Sequence, residues 1–231
     1  MQEPLPKLPA GLPVRLDRPA LVVGGGPFNP RLVEKYVGRG YALIAADGAA
    51  DELMLAGLKP EFVIGDFDSI SDAGAFKGVA RLVHLTEQDT TDFEKCLYAT
   101  VAPLYLGLGL TGRRFDHALA AVHVAARFGA SRRMVLVGED EAMAVARGKF
   151  AIDLRKGTRV SIYPLAPLKF TGSTGLQFPL DGLTLAQGER IGTSNAATGE
   201  SVEISPAADD VPYLVMLPLE TLDRVIETIA R

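Results

Sequence analysis

One cysteine, three histidines and no tryptophan occur in these 231 residues. A lone thiol, Cys96, excludes an intrachain disulfide and any cysteine-built zinc site. It suits a reducing compartment. His117 and His123 are six apart in one helical segment, so they face different ways and do not make a two-histidine metal site. No apolar run reaches the roughly 18–20 residues that a membrane span needs. Basic residues are not in excess: 24 Lys and Arg against 28 Asp and Glu leave a net charge of −4, which lends nothing to a nucleic-acid surface. The paired Arg132-Arg133 reads as a solvated turn before a strand. No GxxxxGK[ST] motif is present, so any ATP chemistry here is not that of a P-loop enzyme. The opening MQEPLPKLPAGLPVRLDRP lacks the uninterrupted apolar core of a signal peptide, and its prolines make residues 1–17 an extended lead-in. A soluble, cytoplasmic protein with no membrane partner is expected.

What is present suffices for a core, since 48% of residues are hydrophobic. Ala20–Gly24, Tyr41–Ala46, Phe62–Ile64, Arg81–Leu85, Leu104–Leu108 and Met134–Val137 read as strands. Helical patterns at 30–37, 49–56, 90–101 and 115–128 fall between several of them. Strands apolar on both faces and separated by helices predict an α/β domain over 18–145, a mostly parallel sheet in three layers. The texture changes near residue 145. Short β-like runs follow at 158–163 and 201–204, and GSTGLQFPLDGLTL at 172–185 has the turn chemistry of an antiparallel unit. Residues 146–231 are therefore expected to form a small antiparallel β-sandwich, closed by a strand at 213–217 and an amphipathic helix at 218–231.

The stretch VIGDFDSI, 63–70, sets a chemical problem. Asp66 and Asp68 follow a buried-looking strand, and like charges that close repel unless a cation lies between them. The next lysine in sequence is Lys77, so the cation is either a distant side chain or a bound metal. Asp47 follows the strand YALIAA, and Asp89 and Asp92 follow RLVHL. In a parallel α/β sheet the carboxyl ends of the strands share one crevice, where ligands bind. Oxygen ligands without His or Cys favour Mg²⁺, which takes one or two carboxylates plus substrate phosphates. Simpler roles remain open: Asp47-Gly48 as a turn, Asp51 as a helix cap or solvated residue, Asp89 as a helix N-cap with Asp92 in the first turn.

A second constellation, GLGLTGRRFDH at 107–117, places glycines, Arg113, Arg114, Asp116 and His117 where a helix begins, a pattern suited to an anion. GGGPFN at 24–29, with Asp47 about twenty residues on, approaches a dinucleotide fingerprint. Asn29 stands at the third glycine and Pro27 stiffens the turn, so a nicotinamide site is not expected.

Together, ADGAAD (46–51), GDFDSI (65–70), QDTTDFEKCL (88–97), GLTGRRFDHAL (109–119), GLQFPL (175–180) and TSNAATGESVEI (193–204) resemble the thiamine pyrophosphokinase family, in its order. The resemblance implies an α/β domain followed by a β-sandwich, in a homodimer whose active site is shared between subunits. It implies transfer of diphosphate from ATP to the hydroxyl of thiamine, giving thiamine diphosphate and AMP. It assigns Asp66, Asp68, Asp89 and Asp92 to catalysis, with Mg²⁺ on Asp66 and Asp68. Asp47, Thr91, Lys95, Arg114, Asp116 and His117 would hold the nucleotide, and Gln88 with Ser194 and Asn195 the thiamine. Ala121 stands where the family often has asparagine, Arg113 where a glycine is common, and no tryptophan is available to stack on thiamine. The alternatives are a pyrophosphokinase for another alcohol, such as a hydroxymethylpterin, and a nucleotide- or thiamine-binding protein that consumes neither.

Overall fold

Runs such as Ala20-Leu21-Val22-Val23 carry no polar side chain, so they are stable only where both faces of a sheet are covered. In the computed structural model all four residues are fully buried, and each large aliphatic side chain so buried contributes about 1.5–3 kcal/mol. The structure describes residues 6–112 and 114–231. The chain divides into two units, one up to Ala121 and one from Val122 to Arg231.

The first unit contains β1 (Val14–Arg15), β2 (Ala20–Val23), α1 (Pro30–Gly38), β3 (Ala42–Ala46), α2 (Ala49–Leu55), β4 (Phe62–Gly65), β5 (Arg81–His84), α3 (Asp92–Ala99), β6 (Thr100–Val101) and β7 (Tyr105–Leu108). Strands β7, β2, β3, β4 and β5 pair in that order, every pair parallel. Helix α1 packs on β2, α2 on β3, and α3 on β3 and β4. Within the lead-in, Val14 and Arg15 pair in parallel with Thr100 and Val101. Residues 1–5 lie outside the described residues. Asn29, which breaks the dinucleotide fingerprint, is the N-cap of α1 and accepts a hydrogen bond from the Arg31 N–H at 3.0 Å. The glycines around it serve a close approach of two loops. The Gly26 N–H donates to the Gly109 carbonyl at 2.8 Å, and a Cβ on Gly24 would meet that same oxygen at 2.7 Å.

Helix α4 (Phe115–Phe128) runs across the division. The second unit contains β8 (Met134–Val137), β9 (Glu141–Ala146), β10 (Phe150–Asp153), β11 (Arg159–Pro164), β12 (Leu168–Thr174), β13 (Thr184–Leu185), β14 (Gly192–Ala196), β15 (Ser201–Pro206), β16 (Tyr213–Pro218) and α5 (Leu222–Ala230). Strand β8, expected within the α/β domain, makes an antiparallel hairpin with β9, closed by the Gly138 N–H on the Glu141 carbonyl. The texture change near 145 falls inside this unit, at the end of β9. Two antiparallel arrays result, β8-β9-β16-β11-β14 and β10-β15-β12-β13. Phe170 of one meets Tyr213 of the other edge-on, ring centroids 5.5 Å apart. No helix among the described residues is long and apolar enough to cross a membrane.

Candidate active site

Three carboxylates converge just past the ends of β3 and β4. One oxygen each of Asp47, Asp66 and Asp68 lies within 4.8 Å of the others. Asp47 is 1% exposed and has left-handed backbone, φ 46°. Its room comes from Gly65, where a Cβ would lie 2.6 Å from the Asp47 Cβ. Its Oδ2 accepts from the Ser69 N–H at 3.1 Å, whereas Oδ1 is buried with no donor among the described residues. Burial pushes its pKa up, and the charges of Asp66 and Asp68 add to this against the pull of the Ser69 N–H. A buried carboxylate oxygen without a donor, facing two more carboxylates, fits a hard divalent cation.

The loop that carries Asp66 and Asp68 is braced on several sides. Phe67 has φ 66°, a conformation L-residues hold only when surroundings enforce it. Its ring stacks on His84 at 4.8 Å, while His84 Nε2 donates to the Asp66 carbonyl at 2.9 Å. Asp51, read as a cap or a solvated residue, instead accepts from both the N–H and the hydroxyl of Ser71, at 2.7 and 2.5 Å.

The distant cation for Asp66 is Lys95. Its ammonium lies 3.2 Å from Asp66 Oδ2 and 3.2 Å from Asp92 Oδ1, and its side chain is 2% exposed. Gln88 Nε2 donates to the same Asp66 oxygen at 2.6 Å. Burial alone raises the Asp66 pKa, but the Gln88 and Lys95 donors outweigh it and the net shift is downward. For Asp92 burial dominates over Lys95, so its pKa is raised. Burial pulls Lys95 down, but the two carboxylates prevail and its pKa rises. The lysine assigned to the nucleotide by resemblance thus lies buried beneath the acids.

Thr91, not Asp89, is the N-cap of α3, its hydroxyl accepting from the Glu94 N–H at 3.3 Å. Asp89 is exposed and, like Asp92, lies outside the group of three converging oxygens. Sequence reading missed Glu87. One of its oxygens takes the N–H groups of Asp89 and Thr90 at 3.0 and 3.1 Å, the other takes the hydroxyls of Thr90 and Tyr98, the latter at 2.5 Å. Tyr98 is eleven residues away, so no local spacing flags the pair. Burial raises the Glu87 pKa, yet its donors outweigh this and hold it below the usual value. A depressed carboxylate pKa gives stability that is present above the unfolded pKa of about 4.3 and is lost as pH falls through the folded value. Glu87→Gln is expected to lose about 1–3 kcal/mol at pH 7. That deficit should shrink as pH falls through the folded value, and urea unfolding at pH 7 and across the acid range measures it; a deficit that stays constant with pH refutes the assignment.

Arg114 and Asp116 pair as a fork, Nε to Oδ1 at 3.1 Å and Nη2 to Oδ2 at 2.6 Å. Arg114's bonds hold the Asp116 pKa down. His117 donates its main-chain N–H to Asp116 at 3.0 Å. All three side chains are exposed, and no hydrogen bond joins them to the carboxylate group among the described residues. Arg113 lies outside the described residues. In the second unit Ser194 is exposed with φ 60°, and its N–H donates to the Ser161 hydroxyl at 3.0 Å. Asn195 is buried, and its amide is spent on the chain itself. Oδ1 accepts from Phe178 and Ala196 N–H groups at 3.0 and 2.9 Å, and Nδ2 donates to the Phe178 carbonyl at 2.7 Å. This clamps the main chain of Phe178, a residue 60% exposed.

Two family models match the chain: "Thiamin pyrophosphokinase, catalytic domain" over residues 33–137 and "Thiamin pyrophosphokinase, vitamin B1 binding domain" over 149–209. A protein of Oryza sativa subsp. japonica named thiamine pyrophosphokinase 1 is 31% identical over 170 residues, covering 65% of this chain and 64% of that protein. One of Caenorhabditis elegans, thiamin pyrophosphokinase 1, is 29% identical over 177 residues, 69% of this chain and 72% of its own. The chain therefore spans just under two thirds of the rice relative's length. Among solved structures, the thiamin pyrophosphokinase of Geobacillus thermodenitrificans superposes with a TM-score of 0.70 at 23% identity, over 87% of this chain and 97% of its own. That of Candida albicans gives 0.72 at 13% identity, over 94% and 97%. These two likenesses establish the shared fold. The carboxylate group lies beyond the strand ends of a parallel sheet, the edge at which α/β folds bind ligands. The chain belongs to the thiamin pyrophosphokinase family.

Proposed function

We propose that the protein transfers the diphosphate group of ATP to the hydroxyl of thiamine, giving thiamine diphosphate and AMP. The observation that carries this reading is the convergence of Asp47, Asp66 and Asp68 within 4.8 Å, with Asp47 Oδ1 buried and without a donor among the described residues. Asp66 and Asp68, backed by Asp47, would hold Mg²⁺. A divalent cation supplies charge neutralisation for the phosphates of ATP and the transition state.

The chain's own residues do the rest. Lys95 and Gln88 fix Asp66 from behind, so the carboxylate is oriented before substrate arrives. Arg114 offers phosphate oxygens the guanidinium N–H groups not spent on Asp116, with Asp116 and His117 beside it on the nucleotide. The thiamine hydroxyl forms its bond to the β-phosphorus of ATP, the bond from that phosphorus to the oxygen carried by AMP breaks, and AMP leaves with the electron pair. The hydroxyl proton passes to a carboxylate, Asp89 or Asp92. Gln88, Ser194 and Asn195 line the thiamine side, with the β-rich segment coming from the other subunit of a homodimer in the cytoplasm.

Asn195 acts there through Phe178, holding an exposed aromatic face for a cationic heterocycle. Phe178→Ala is expected to raise KM for thiamine roughly tenfold, as loss of about 1–2 kcal/mol of ring contact would, while KM for ATP stays within twofold. Steady-state kinetics with each substrate varied in turn checks the split, and a rise confined to ATP refutes it.

Phosphorus NMR of the protein with ATP, Mg²⁺ and thiamine tests the whole reading. AMP and thiamine diphosphate should appear together and vanish with EDTA. ADP in place of AMP would mean transfer of a single phosphoryl group, and intact ATP with both ligands bound would leave a binding protein.

A further inference from the structure

We infer that a basic pocket in the second unit binds a small phosphate or diphosphate anion, at a site built from none of the carboxylate-group residues. The pocket encloses about 180 Å³, lined among others by Arg132, Arg133, Arg147, Lys149 and Arg231, with no acidic side chain among its described lining residues. Arg132 and Arg133 are the pair that reads as a solvated turn in the sequence. In the fold they follow α4, and Gly129 lets the chain turn tightly there. A Cβ at that position would lie 2.7 Å from a Val145 methyl and 2.8 Å from Pro212.

Three of these cations already have a partner. Arg147 donates one guanidinium N–H to the Ala130 carbonyl at 2.5 Å. Arg133 donates to the main-chain oxygen of Arg231 at 3.1 Å. Lys149 pairs with Glu203 at 2.7 Å, where both side chains are solvent-accessible. Arg132 Nε is buried and has no acceptor among the described residues. The carbonyls ending α4 account for the Arg147 bond and for the main-chain N–H of Arg132, which donates to Phe128 at 2.8 Å. They do not account for the Arg132 side chain.

A guanidinium Nε shut off from solvent without an acceptor is rare in native structures. The pocket that Arg132 lines gathers further cationic side chains, whose like charges repel. An oxyanion in the pocket offsets the charges of that basic lining, and planar guanidinium forks match the tetrahedral oxygens of phosphate pairwise. The volume sets the size class. It is below the roughly 300–1,000 Å³ of sites for drug-sized ligands, so it suits inorganic phosphate, diphosphate or a terminal phosphate, not a whole nucleotide.

Isothermal titration of the full chain in EDTA, with inorganic phosphate and with inorganic diphosphate as separate probes, tests this site apart from the transfer reaction. Saturable binding at one equivalent is expected, with the tighter probe distinguishing phosphate from diphosphate recognition. Arg132→Gln and Arg147→Gln should each weaken it at least tenfold, while Asp66→Asn leaves it within twofold. If Arg132→Gln fails to fold, Arg147→Gln carries the test. No saturable binding to wild type, or loss with Asp66→Asn and not with the arginine variants, overturns the site. Neither result bears on whether thiamine diphosphate is formed.

Discussion

Asp66→Asn is expected to lower turnover by on the order of 10³-fold or more, the scale of losing one preorganised electrostatic contact in a phosphoryl-transfer site. Asp66 is where two demands meet. One oxygen is held by Gln88 at 2.6 Å and Lys95 at 3.2 Å, and the carboxylate also belongs to the group of three that fits a cation. An amide is nearly isosteric but uncharged, so the cation loses attraction where phosphate charge has to be offset. The fold should survive, because Lys95 keeps Asp92 as its counter-ion. Circular dichroism should match wild type while steady-state assays with ATP and thiamine show the loss. Turnover within tenfold of wild type would remove Asp66 from the chemistry.

Lys95→Met is expected to reduce stability as well as activity. The methionine fills much of the same volume but leaves Asp66 and Asp92 facing each other without a counter-charge. Removing one partner of a buried ion pair costs about 3–5 kcal/mol. Asp92 is 37% exposed and partly screened by water, so about 3 kcal/mol is the better figure here. That corresponds to a fall of roughly 6–12 °C in Tm. Added Mg²⁺ should restore part of it, since a cation bound at Asp66 replaces some of the lost positive charge. Calorimetry with and without Mg²⁺ reads both effects. An unchanged Tm would mean that Lys95 is not the ion that permits these acids to sit together.

The sequence alone determined the parallel sheet and the place of its acids. Apolar four- and five-residue runs at β2, β3 and β7 admit only a doubly covered sheet, and chain connectivity then forces Asp47 and Asp66 to follow strand ends on one edge. Short-range chemistry was legible too, such as the helix starting beside Asp92. What depended on residues brought together from afar was not. Glu87 is recognisable only through Tyr98, Lys95 reads as a nucleotide contact until its ammonium is found beneath Asp66 and Asp92, and Asn195 reads as a ligand contact until its amide is found on Phe178. Arg132 joins Arg147 and Lys149 only when β9 and β10 are in place. The physical reason is the range of the two kinds of signal. Hydrophobic periodicity and turn chemistry act within a few residues, whereas desolvation and charge pairing depend on distances that only the folded chain sets.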